Sequence, residues 1–148
     1  MALFKFLSGL AVSPTADFWR LENRDIPASP GVYLLLAKSN VHFIYPAGKS
    51  PIFYIGQAGS LRRRLQDHRR YSGQVRDNRR DSNPLYWPRY EYAGAHGARY
   101  CYIRTWQGRT PKALEDIVLA RFQKRYHARP VANSAGAWNR IESEFKIL

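Results

Sequence analysis

IFYIGQAGSLRRRLQDH, residues 52–68, changes its repeat partway along. Up to Gln57 the run is short, apolar and rich in β-branched and aromatic residues, which is the signature of a strand. After Gly59 the leucines return four apart, at 61 and 65, as they do on one face of a helix. Ser60 stands where an N-cap would accept a backbone N–H. A second strand lies upstream: GVYLLLA, 31–37, bounded by Pro30 before it and Lys38-Ser39-Asn40 after it. Side chains alternate along a strand, so Tyr33, Leu35 and Ala37 share a face, as do Ile52, Tyr54 and Gly56. Pairing the two strands can therefore set Tyr33 and Tyr54 on one face. On the helix, Arg64 and His68 are one turn apart beside the Leu61/Leu65 stripe.

Working outward, VHFIY (41–45) reads as a further extended piece closed by the turn chemistry of PAGKSP. DFWRLENRDIPASP (17–30) reads as a short helix or turn that Pro27 and Pro30 end. ARYCYIRTW (98–106) is a third strand. Thr110-Pro111 then starts a helix to about Tyr126, with Leu114, Ile117, Val118 and Phe122 on one stripe. Residues 71–97 mix arginine, aromatic residues, proline and glycine, and read as a long surface excursion. RPVANSAGAWN leaves the last helix irregularly. The expected fold class is α+β, a small three-stranded antiparallel sheet flanked by helices. Residues 1–29 are an N-terminal extension packed on a domain of residues 30–148, with an insertion at 38–51 between the first two strands.

The chain has 148 residues, enough for one domain with a real core. Its formal charge is +13, from 24 Lys and Arg against 11 Asp and Glu. That surplus favours a polyanionic partner, nucleic acid before an anionic membrane, and arginine forks onto phosphate as lysine cannot. One cysteine, Cys101, excludes an internal disulfide framework and a cysteine-based zinc site. It suits a reducing cytoplasm with no disulfide-linked partner. MALFKFLSGLAV resembles a short signal segment, but Lys5 interrupts it, and an amphipathic element packed on the domain is expected. Nothing approaches the ~20 apolar residues of a membrane span, so a soluble protein is expected.

Several chemical motifs fail. AGKS (47–50) ends like a phosphate loop, but Phe43 stands where that loop needs its first glycine. His42, His68, His96 and His127 are scattered, without metal-ligand spacing, and no serine or cysteine sits in a nucleophile setting. What remains is GVY, then YIG, then SLRRRLQDH. Together they resemble the GIY-YIG nuclease superfamily, whose signature is that pair of tripeptides followed by a helix carrying an arginine. The resemblance spans roughly residues 30–136. It implies a catalytic arginine at Arg64, a histidine one turn later at His68, a metal-binding glutamate at Glu115 in PKALEDIVLARF, and an asparagine at Asn133 in PVANSAG. The gap between the tripeptides is longer than the family's usual turn.

The resemblance also implies an activity: endonucleolytic hydrolysis of DNA, with a single Mg²⁺ or Mn²⁺ held by Glu115. Mg²⁺ tolerates one carboxylate because it keeps most of its waters. The plainer alternative for Glu115 is a helix-surface ion pair with Lys112. Tyr33 takes the general-base or relay role, either as a phenolate favoured by nearby cations or by passing a proton on. Tyr54 orients water or phosphate, Arg64 forks onto the scissile phosphate, His68 partners Tyr33 or the phosphate, and Asn133 holds the site together. Around and after the motif helix, Arg62, Arg63, Arg69, Arg70, Arg76, Arg79 and Arg80 suit a DNA backbone. Tyr71, Tyr86, Trp87, Tyr90 and Tyr92 suit base stacking. Two rivals stand beside this reading: a structure-selective or single-strand nuclease, and a non-catalytic nucleic-acid-binding module on the same fold.

Overall fold

A computed structural model describes residues 2–77, 88–106 and 108–133. In chain order the strands are β1 Ala16–Asp17, β2 Gly31–Leu36, β3 Phe43–Tyr45, β4 Gly48–Ser50, β5 Ile52–Ala58 and β6 Arg99–Arg104. The helices are α1 Leu61–Arg76, α2 Pro88–His96 and α3 Pro111–Tyr126. The main sheet is antiparallel in the order β1-β6-β2-β5, so it has four strands where three were expected. The extra one is a two-residue edge. Ala16 and Asp17, from the N-terminal extension, pair with Tyr100 and Arg99. The 38–51 insertion is a separate hairpin, β3 with β4.

β2 is the central strand, and all six of its residues are buried. A strand covered on both faces needs apolar residues at every position, which explains the unbroken GVYLLL. Toward one face Val32, Leu34, Leu36, Ile55, Cys101 and Ile103 meet Leu114, Val118, Leu119 and Phe122 of α3, with Leu7 from the N-terminal 3₁₀ turn. Toward the other, Tyr33, Leu35, Phe53 and Tyr100 meet Leu61 and Leu65 of α1, Tyr92 and Ala93 of α2, and Phe18, Leu21 and Ile26. The register slips between Leu35, opposite Tyr54, and Leu36, opposite Ile52. That irregularity moves Ile52 into the α3-side core, so it does not share Tyr54's face as strict alternation predicts.

The helix caps follow the sequence. Ser60 accepts from the Arg63 N–H and Thr110 from the Ala113 N–H, with Pro111 in the first turn of α3. On α3 the covered stripe is Leu114, Val118, Leu119, Phe122 and Tyr126, while Ile117 is only half-buried. Among the described residues of the expected surface excursion at 71–97, 71–76 continue α1 and 88–96 form α2. α1 continues through Ser72, Gly73 and Val75, which are buried, and α2 lies across it. Small side chains at that crossing let the two helices approach, and they carry no apolar periodicity for a sequence reading to find.

Candidate active site

Each of the two tripeptides owes its glycine to a close approach. A Cβ on Gly56 would lie 2.6 Å from the Tyr33 hydroxyl and 2.8 Å from the Tyr54 ring. A Cβ on Gly31 would collide with the Ile103 carbonyl and come within 2.7 Å of Leu61. Gly56 sits directly opposite Tyr33 in the β2–β5 pair, and its missing side chain is the space the Tyr33 phenol occupies.

Into the same space α1 delivers His68. The Tyr33 hydroxyl lies 2.7 Å from His68 Nε2, in a bond buried from solvent. Tyr54 closes the group, its ring centroid 6.0 Å from that of Tyr33 and 5.7 Å from that of His68. Tyr33 is 2% exposed and His68 1%, whereas Tyr54 is half-buried, so Tyr54 is the member of the trio that meets solvent. With Tyr33 donating to Nε2, a neutral imidazole carries its own proton on Nδ1. That atom is buried and finds no hydrogen-bond partner among the described residues. An unmet polar atom costs stability, and such atoms concentrate where chemistry is done.

Burial decides the charge states. It raises the Tyr33 phenol well above its ordinary value, with the neighbouring Tyr54 adding to the rise and Arg64 and Arg89 opposing it. Burial likewise pushes His68 well below the usual imidazole range, and Arg89 and Arg64 push it further. Both groups are therefore neutral at ordinary pH. A standing phenolate, one of the two routes expected for Tyr33, does not fit so buried a phenol. A relay through a neutral tyrosine to a neutral imidazole does.

Arg64 is exposed, one turn before His68, and lines a cleft of about 500 Å³ with Ala58, Gly59, Ser60, Arg63 and Asp67. Asn133 fastens the other side of the strand. Its Oδ1 accepts from the Ile55 N–H at 2.8 Å and its Nδ2 donates to the Ile55 carbonyl at 2.7 Å. β5 is the outer strand of the sheet, so this one side chain satisfies both backbone groups between Tyr54 and Gly56.

Glu115 stands apart from this cluster. It belongs to α3, which covers the opposite face of the sheet, and its Oε1 accepts from Lys112 Nζ at 3.2 Å. The surface ion pair weighed from sequence is thus present. The glutamate side chain is nevertheless only 15% exposed, and no hydrogen bond or ion pair among the described residues ties it to Tyr33, Tyr54, Arg64 or His68. No group of three or more His, Cys, Asp or Glu able to hold a metal is found among the described residues. As a donor, Glu115 offers one hard carboxylate, which fits an ion that retains its waters and takes substrate oxygen.

The basic residues divide by what they already hold. Arg62 Nε donates to the Ile26 carbonyl and Arg69 Nη1 to the Leu21 carbonyl, so both clip the N-terminal extension onto α1. Arg70 pairs with Asp67 at 3.5 Å and donates to the Tyr71 hydroxyl. Arg76 bonds Asp77 and lies over the Trp19 ring at 4.4 Å, in a cleft of about 660 Å³ that Arg69 and Arg70 also line. Tyr90 and Tyr92, expected on the surface as base-stacking residues, are buried at 6% and 7% exposure. Arg79, Arg80, Tyr86 and Trp87 lie outside the described residues. One site neighbour escaped the sequence reading: Arg89, whose guanidinium is 5.5 Å from the Tyr54 ring centroid. Its signal was its place among aromatics in YWPRYEY.

Among the described residues no helix is long and apolar enough to cross a membrane. Neither a family model, nor a curated protein, nor a solved structure matches this chain.

Proposed function

We propose that this chain is a metal-dependent endonuclease of GIY-YIG type that hydrolyses DNA phosphodiester bonds. The observation that carries the reading is the buried 2.7 Å contact between the Tyr33 hydroxyl and His68 Nε2, with Arg64 one turn away. A phenol pointed at a neutral imidazole is a ready proton path. As a water oxygen bonds to phosphorus and the bond to the leaving oxygen breaks, the water proton passes to the Tyr33 oxygen. The tyrosine's own proton passes to Nε2, which leaves His68 as imidazolium, while the leaving oxygen takes a proton from solvent, to which the imidazolium later returns one. Arg64 balances the charge that gathers on the phosphoryl oxygens. Tyr54, the solvent-facing member, orients the water. Glu115 would hold Mg²⁺ or Mn²⁺, which would supply charge neutralisation to phosphate oxygens, although α3 covers the sheet face opposite the Tyr33–His68 pair. The arginines of α1, in a chain of net charge +13, would draw the DNA backbone to that helix.

A second reading, a non-catalytic nucleic-acid-binding module, has its own support. Tyr33 is almost wholly covered and Glu115 is already paired with Lys112. Purified protein incubated with duplex, single-stranded and branched DNA, with and without Mg²⁺, separates the two and shows any strand or structure preference. The nuclease reading expects metal-dependent cleavage that collapses in Tyr33→Phe and Glu115→Gln while DNA affinity holds. Binding without cleavage of any DNA, with any divalent metal, leaves the module.

A further inference from the structure

Arg89 is a second cation at this site, brought by a helix that the motif does not include. α2 holds it half-buried against two phenols: its guanidinium carbon is 5.5 Å from the Tyr54 ring centroid and 4.9 Å from that of Tyr90, with Nη2 pointing at the Tyr90 hydroxyl at 3.5 Å. Tyr90 in turn packs edge-on against His68, ring centroids 5.2 Å apart. The phenol–imidazole pair is thus approached by cations from two elements, Arg64 from α1 and Arg89 from α2. Stacking on aromatic faces fixes the plane of a guanidinium and removes much of the rotamer freedom that a lone surface arginine loses on binding.

Resting on the nuclease reading above, we propose that Arg89 is a catalytic residue that forks onto a non-bridging oxygen of the scissile phosphate, opposite Arg64, and so sets the substrate against Tyr54 and Tyr33. Arg89 lies against Tyr54 and Tyr90, both of which pack on His68, while Arg64 shares its cleft with Arg63 and Asp67. Burial first, then Arg89 and Arg64, hold His68 in its neutral form. A clamped phosphate offsets that field, so the proton acceptor gains basicity when the substrate is in place. Proton transfer and phosphate binding are thereby coupled through one arginine pair.

The test uses the whole chain and two independent readouts. In the first, metal-free protein is titrated with inorganic phosphate while the His68 imidazole is followed by NMR. The expected result is a saturable shift in wild type, at least tenfold weaker phosphate binding in Arg89→Gln, and an intermediate value in Arg89→Lys, which keeps the charge and loses the fork. Arg121→Gln, on α3, removes the same charge elsewhere and is expected to bind as wild type does. An Arg89→Gln titration equal to wild type, or no saturation in wild type, overturns the proposal whether or not any DNA is cleaved. In the second readout, Arg89→Gln loses about 10²–10³ in kcat with a smaller change in KM, as when one transition-state donor is removed. Added guanidinium ion partly restores Arg89→Ala. Cleavage by Arg89→Gln within threefold of an active wild type also overturns it. Failure of wild type to cleave any DNA sinks the nuclease reading, and the phosphate titration then decides on Arg89 by itself.

Discussion

Toward α3 the sheet presents Val32, Leu34, Leu36, Ile55 and Ile103; toward α1 the same strands present Tyr33, Tyr54, Tyr100 and Tyr102. Neighbours one residue apart in the sequence serve opposite ends. The α3 side is aliphatic and aromatic packing, and its one thiol, Cys101, is pushed up to about 12 by burial, which makes it inert. The α1 side buries an imidazole, and it leaves that imidazole's Nδ1 unmatched among the described residues. That unmatched polar atom on one face, set against an apolar other face, is the reason the proposed site is assigned to the α1 side. The comparison can be broken by substitutions that treat the faces alike.

The largest effect is expected on the packing side. Phe122 makes ring contacts with Phe6, Tyr45 and Tyr126 and is fully buried. Phe122→Ala should cost ~3–5 kcal/mol by urea unfolding, and the fraction that stays folded should retain its activity. On the tyrosine side, Gly56→Ala should cost ~1–3 kcal/mol, because the new methyl must displace the Tyr33 hydroxyl 2.6 Å away. Here activity should fall in fully folded protein. Equal loss of activity per unit of stability in both variants would remove the distinction between the faces.

Below these stands Asn133→Ala. It strips both hydrogen bonds from Ile55 at the outer edge of the sheet, where water can partly replace them. A cost of ~1–2 kcal/mol is expected in the same unfolding assay, with cleavage reduced because Tyr54 and Gly56 flank the loosened residue.

How much of this was legible depended on the kind of signal. Tyr33 and Tyr54 on one face, Ser60 and Thr110 as caps, and Arg64 beside His68 follow from periodicity and local chemistry, which act within a few residues. The side of the sheet that Ile52 occupies was not legible, because a register slip is fixed by tertiary pairing. The added edge strand was hidden for a similar reason: two exposed residues, Ala16 and Asp17, have no pattern to show. α2 was missed because arginine and aromatic residues mask its helical face. Tyr90 and Tyr92 were accordingly placed on the surface, and Arg89 was passed over beside them. Glu115 was legible as a helix residue bordering an apolar stripe, but the sheet face its helix would cover was not.

The effect most specific to the tyrosine face reads His68 directly through pH. The buried imidazole binds its proton only well below the ordinary value of 6.5, while in the unfolded chain it titrates there. Above ~6.5 neither state carries the proton and the stability is fully present. As pH falls below it, the unfolded chain gains a proton that the folded one refuses, so stability drops by at most ~1.4 kcal/mol per pH unit. The loss stops once the folded-state value is passed and both states are protonated. His96 is depressed in the same direction by burial and by Lys38, so wild type alone does not isolate the effect. His68→Gln does, because it removes one titration and leaves His96 in place. Urea unfolding at pH 7.5, 6 and 5 should give a steeper acid loss in wild type than in His68→Gln. On the alkaline side Tyr33 acts with the opposite sign: its raised folded value keeps stability full below ~10 and removes it as pH climbs further, a slope that Tyr33→Phe should flatten. Matching acid slopes in wild type and His68→Gln would mean that His68 exchanges its proton freely in the folded state, and a buried neutral acceptor for the Tyr33 proton would then be lost.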